Sequence, residues 1–177
     1  TGIERGKYPH GNSVLVTGTN ERVLIDPSLT VAELGRSFEV DRIFLSHVHE
    51  DHIPGMSLFP TVPVACHEAD AVGLTSIDGL MSMYGLPSEI EEEFRQEVLE
   101  DFCYAPRADV STFTDRASFD LGKVSIEVVH TPGHTRGHCA FVIRRIQRAV
   151  RASGQLGNFA HHADLVLFGL RARGIVI

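Results

Sequence analysis

Four side chains able to bind a metal, His47, His49, Asp51 and His52, fall within six residues of this 177-residue chain, a density no other stretch reaches. They stand directly behind the apolar run Ile43-Phe44-Leu45, which reads as a buried strand delivering them. On an extended backbone residues two apart share a face, so His47, His49 and Asp51 are expected to converge. Pro54 and Gly55 let the chain turn after His52, which can then address a neighbouring point in space. Imidazole nitrogens with a carboxylate suit Zn²⁺, with Fe or Mn as substitutes. A polar loop with chance histidines is the plainer reading, but it leaves titratable groups behind a buried strand without a partner.

A second stretch runs Val129-His130-Thr131-Pro132-Gly133-His134-Thr135-Arg136-Gly137-His138. Here a Pro-Gly turn bends the backbone sharply enough to aim His134 as a ligand. In this order the two stretches resemble the HxHxDH and TPGHTxGH motifs of the metallo-β-lactamase superfamily, and the resemblance covers Gly11 to Val142. It implies an α+β fold, the αββα four-layer sandwich, in one domain spanning residues 1–177 with its second half incomplete. It also implies a zinc-dependent hydrolase that uses a metal-bound hydroxide, with a pKa of about 7, to cleave a thioester, lactone or phosphoester. By the same resemblance His47, His49 and His134 hold one ion and Asp51 and His52 a second. Asp51 doubles as the group that orients the nucleophile or takes its proton. His130 and His138 are candidates for orienting the ligands from behind by hydrogen bonds, or equally for satisfied buried histidines. The cofactor implied is one or two zinc ions and the partner a small-molecule substrate. Nucleic acids are also among the superfamily's substrates, and oligomeric state is left open.

The elements that must position these residues can be read in order. Ser13–Thr17 and Arg22–Asp26 form two short strands around the turn residues Gly18-Thr19-Asn20, a hairpin. Asp26 before Pro27 reads as a turn former in preference to a site residue. A short helix is predicted over Val31–Phe38, a strand over Asp41–His47, a helical turn over Ile53–Phe59 and a strand over Val62–Cys66. His67 reads as a helix-start or surface histidine. Ser88 with Glu91 three residues on forms a capping box, and Ile90, Phe94, Val98 and Phe102 recur at helical spacing behind it. Its glutamates read as a solvated face. Strand pieces follow at Val110–Phe113, Ala117–Phe119 and Lys123–Val129.

Apolar residues make up 43% of the chain and charged residues 22%, the balance of a globular domain without long disorder. Apolar runs fall short of the roughly 18–20 residues a membrane helix needs. Cys66, Cys103 and Cys139 are odd in number and scattered, which argues for a reducing compartment, and the cytoplasm is the expected location. The net charge of −7 weighs against a wholly nucleic-acid-binding protein. That total hides an asymmetry: residues 1–140 hold ten Lys/Arg against 22 Asp/Glu, residues 141–177 six Arg against Asp164 alone.

Beyond Val142, Arg144, Arg145, Arg148 and Arg151 group on one side of a helical wheel, so a basic amphipathic helix is predicted. Leu165–Gly169 resembles the superfamily's later strand, but Leu170 stands where its bridging Asp belongs. His161, His162 and Asp164 match no ligand spacing. The alternative function is therefore an impaired metal-binding remnant whose basic tail contacts an anionic partner.

Overall fold

The strands pair into two main sheets. In the computed structural model, which describes residue 2, residues 5–146 and the strands at 148–150, 156–158 and 166–168, eleven strands and four α-helices are assigned. The first sheet is built from β1 (Val14–Thr17), β2 (Arg22–Ile25), β3 (Arg42–Phe44), β4 (Val64–His67) and β5 (Ser111–Phe113), adjacent in that order. The hairpin of β1 and β2 is antiparallel, with Val14 opposite Ile25 and Thr17 opposite Arg22. The pairs β2–β3, β3–β4 and β4–β5 are parallel. The second sheet, of order β11-β8-β7-β6, comprises β6 (Ser118–Asp120), β7 (Val124–His130), β8 (Cys139–Arg145) and β11 (Val166–Phe168), antiparallel throughout. β9 (Arg148–Val150) and β10 (Leu156–Asn158) pair separately.

Ile43, Phe44 and Leu45 are fully buried because both faces of the first sheet are covered, as parallel strands require. One core lies between the sheets, where Val23, Ile25, Phe44, Phe113, Ile126 and Phe141 meet. The other lies between the first sheet and all four helices, α1 (Leu29–Ala32), α2 (Val72–Thr75), α3 (Ile77–Tyr84) and α4 (Ser88–Glu100), with Ile43, Leu45, Leu74, Leu80, Met81 and Val98 packed together. Among the described residues the layers are helix, sheet, sheet. No helix among them is long and apolar enough to cross a membrane.

Three expectations need correction. Among its described residues the arginine-rich stretch forms no helix: Arg144 and Arg145 lie in β8, opposite Ser125 and Val124, and Arg144 pairs with Glu127 on the neighbouring strand. Long-range pairing with β7 overrides the helical-wheel pattern. Arg148 lies in β9, and Arg151 lies outside the described residues. Ser88 is not a cap. Pro87, with extended backbone (φ −57°, ψ 143°), precedes the helix, Ser88 is its first residue, and no side-chain cap bond forms. The helix after Pro27 is Leu29–Ala32, shorter and earlier than predicted, and the chain turns at Gly35 with φ +63°. The strand Val166–Phe168 does form and pairs with β8. His161, His162, Asp164 and Leu170 lie outside the described residues.

Candidate metal centre

Strands β2, β3 and β4 run parallel, so the loops at their carboxyl ends gather at one edge of the sheet, where α/β sheets hold ligands. Asp26 follows β2, the Ser46–His52 stretch follows β3, and Glu68–Asp70 follows β4. The hairpin loop between β7 and β8 carries His134 to the same edge.

The chain does not hold its candidate ligands on one extended face. It leaves β3 after Phe44, runs through His49 in extended conformation (φ −124°, ψ 161°), and closes Glu50–His52 into a 3₁₀ turn. Two groups that could hold a metal result, each offering atoms within 4.8 Å of one another: His47, His49 and His134, and His47, Asp51 and His52. The rings of His47, His49 and His134 stand 4.6–4.8 Å apart. His138 joins the cluster with its ring 5.1 Å from His47, and its Nδ1 lies 2.9 Å from Thr131 Oγ1. His130 does not join it. It stacks on His67 at 4.1 Å, nearly parallel, and its Nε2 donates to the Arg136 carbonyl, steadying the loop that bears His134. His67 caps the 3₁₀ turn after β4, accepting from the Ala69 N–H.

Burial is the first cause of the electrostatics here. It pushes His47 far below the ordinary imidazole range, and the neighbouring His52, His49, His134 and His138 push further. His49 is lowered to about 3 by burial, then by His134, His52 and His138. Both rings are therefore neutral at pH 7, with lone pairs free for a cation. His52 behaves in the opposite way. Burial opposes its charge, but Asp26 first, then Asp51 and Glu50, lift it to about 9. Burial also raises the Asp51 carboxyl, against the attraction of His52.

Asp26 is the residue the sequence reading undervalued. Buried at a positive φ of 49°, it accepts the Ser46 N–H at 2.7 Å and the Ser46 hydroxyl at 2.6 Å. Ser46 Oγ in turn lies 3.1 Å from His47 Nδ1, so it accepts the Nδ1 proton and leaves Nε2 of His47 unprotonated. Asp26 Oδ2 is also 3.2 Å from His52 Nδ1. The approach is close but not aligned, and that nitrogen is buried without a hydrogen bond. The lone pairs of buried His47 and half-buried His49, beside carboxylates that hold His52 charged, are what a bound cation would satisfy, so the donor set fits a divalent metal.

Glu50, absent from the sequence-predicted site, is buried between the candidate ligands His49 and Asp51. Its carboxylate accepts the Tyr84 hydroxyl, and its N–H donates back to that oxygen at 3.2 Å. The Tyr84 ring stacks on His49 at 4.7 Å and fixes that imidazole's plane. An aromatic at the end of a helix, 35 residues downstream of His49, gives no local signal of this contact.

The chain matches the model of the Metallo-beta-lactamase superfamily over residues 8–145. It is 32% identical over 130 residues to an uncharacterized protein of Mycobacterium tuberculosis, covering 68% of this chain and 54% of that one. It is 26% identical over 151 residues to a metallo-beta-lactamase fold-containing protein of Sulfurisphaera tokodaii, covering 77% of this chain and 55% of that one. The chain thus spans about half the length of the curated relatives it matches. Its structure is similar to the metallo-beta-lactamase GOB-18 from Elizabethkingia meningoseptica, with a TM-score of 0.55 and 21% identity over 75% of this chain and 49% of that one. At that identity the likeness establishes the fold.

Proposed function

Because the chain belongs to the metallo-β-lactamase superfamily, we propose that it is a metal-dependent hydrolase whose metal is held by His47, His49 and His134, with zinc the ion this set suits best. One observation carries the reading. Three imidazoles from two loops far apart in sequence present donor atoms within 4.8 Å of one another, and burial keeps His47 and His49 uncharged. Three protein ligands leave a fourth position open, as catalytic zinc requires. Asp51 and His52 are the proposed second set. His47 is already taken by the first, so among the described residues these two bring the unshared donors.

When bound, the metal would lower the pKa of a water to about 7 and polarise the scissile group. The rest falls to the chain's own side chains. Asp51, its carboxyl raised by burial, is the proposed group that orients the attacking water or accepts its proton. His52 Nε2 lies 3.6 Å from Asp51 Oδ2 and steadies that carboxylate. Asp26, acting through Ser46, holds His47 in its ligating tautomer. The proposed substrates are small molecules with a thioester, lactone or phosphoester bond, a choice the fold does not make.

The test is zinc content by elemental analysis together with turnover on one substrate of each kind, before and after chelation. Zinc retained through desalting, with hydrolysis lost on chelation and restored by zinc, is the expected result. Failure to retain zinc overturns the reading. Zinc without turnover favours the second reading, an impaired metal-binding protein, which the short supply of donors in the second set supports.

A further inference from the structure

We propose that Asp70, which touches none of the candidate ligands, is the positioning residue that sets the two ligand-bearing loops at metal-binding distance. The inference rests on the reading of His47, His49 and His134 as a metal site. Asp70 ends the 3₁₀ turn Glu68–Asp70 after β4 and is fully buried, with 0% of its surface exposed. Its Oδ2 accepts the Val48 N–H at 3.3 Å and the Thr135 hydroxyl at 2.6 Å, and its Oδ1 accepts the Gly137 N–H at 2.7 Å. Val48 separates His47 from His49. Thr135 follows His134, and Gly137 precedes His138. One carboxylate therefore joins both halves of the ligand set, across 22 residues on one side and 65 to 67 on the other.

The chemistry needs a carboxylate. An ionised aspartate accepts without donating, and all three partners donate. The approach also needs glycine at 137. A Cβ there would sit 2.7 Å from Asp70 Cγ and 2.8 Å from its Oδ1, closer than a side chain tolerates. The β7–β8 loop has bonds of its own, Thr131 N–H to the His138 carbonyl at 2.8 Å and Gly133 N–H to the Thr135 carbonyl at 3.0 Å. Just past it, at the start of β8, the Cys139 N–H donates to the Ser46 carbonyl of the other loop at 2.7 Å. A single tie leaves one loop free to rotate against the other. The second tie, through Asp70, removes that freedom on the side where His49 and His134 face each other, with their rings 4.6 Å apart.

Co²⁺ is the probe, because its visible d–d bands report ligand geometry as well as occupancy. The full chain, Asp70→Asn, Thr135→Val and Thr135→Ser are titrated with Co²⁺ and compared at saturation, and each is melted in chelator. Asp70→Asn places an amide donor among three donors, so its Co²⁺ affinity should fall about 10–100-fold, the range for residues that orient ligands. Its saturated spectrum should differ from wild type. Thr135→Val should lose affinity in the same direction by a smaller factor, and Thr135→Ser, which keeps the hydroxyl, should recover it. Should Asp70→Asn not fold, the Thr135 pair decides.

Unchanged affinity and spectrum in Asp70→Asn overturn the proposal while the metal reading stands. A lower melting temperature with the wild-type spectrum also overturns it, since Asp70 then serves the fold alone. So does Thr135→Val binding like wild type. A wild-type chain that takes up no Co²⁺ overturns the metal reading itself, and this proposal with it.

Discussion

His49 and His52 are three residues apart, both largely buried, and they are driven to opposite charge states. His49 lies among other imidazoles and is lowered to about 3, first by burial. His52 faces Asp26, Asp51 and Glu50, and is lifted to about 9 despite its burial. Burial alone does not set protonation in this site. The sign of the neighbouring charge does. The contrast divides the centre into a pair of neutral rings ready for a cation, His47 and His49, and a corner where a proton occupies part of a cation's place.

The sharpest way to break that division is to remove one ligand from each side. His49→Ala should strip most of the zinc at neutral pH, whereas His52→Gln should leave the ion on the first set in place. Elemental analysis after desalting decides it. Equal retention in His49→Ala and wild type would show that the set of His47, His49 and His134 is not the tighter site.

Asp26 tests the charged corner. In the metal-free protein at pH 6.5, Asp26→Asn leaves protonated His52 without its main counter-charge and weakens the hold on Ser46. The expected cost is about 3 kcal/mol in urea denaturation, the scale for breaking a buried pair by removing one partner. A cost under about 0.5 kcal/mol would show that Asp26 and His52 do not form the pair that the 3.2 Å approach implies.

The same contrast predicts an optimum in pH for the chelated protein. His52 binds its proton more tightly folded than unfolded, so its contribution is fully present below about pH 6.5 and is lost as pH rises through about 9. His47 and His49 are held below their unfolded values. Their contribution is therefore present above about pH 6.5 and is lost as pH falls. Melting temperature in chelator should peak near pH 6.5–7 and decline on both sides, the alkaline loss being at most about 3 kcal/mol. Asp26→Asn should abolish the alkaline decline and leave the acid one. A decline unaltered by the substitution would locate the titrating group elsewhere.

What the sequence disclosed followed from how local each signal was. His47, His49, Asp51, His52 and His134 announce themselves by type and spacing, and the hairpin of β1 and β2 by its turn residues. Both are short-range patterns. Asp26 carries an equally local signal, Asp before Pro, but its partners Ser46 and His52 lie 20 and 26 residues away, so only the fold distinguishes a site residue from a turn former. Asp70 and Tyr84 give no local signal. The arginines after Val142 misled because a periodic pattern competes with strand pairing, and the β7–β8 register extends through Arg145.

The smallest expected effect bounds the comparison from outside the site. Ser88 and Glu91 have the residue types and spacing of a capping box, which would make Ser88→Ala cost about 0.5–2 kcal/mol. The structure shifts the frame by one residue. Pro87 occupies the capping position, and its carbonyl accepts the N–H groups of Ile90 and Glu91, each at 3.1 Å. Ser88 is inside the first turn, where its hydroxyl meets no backbone donor of the helix start. The Glu91 carboxylate is engaged instead by Arg95 at 2.9 Å, one turn later. Ser88→Ala therefore exchanges one residue for a better helix former without removing a bond, and its effect should stay within about 0.5 kcal/mol of wild type. Zinc content and the pH optimum in chelator should not move. A loss of 1 kcal/mol or more, on the order of a lost cap, would restore the capping box and place the helix start one residue later.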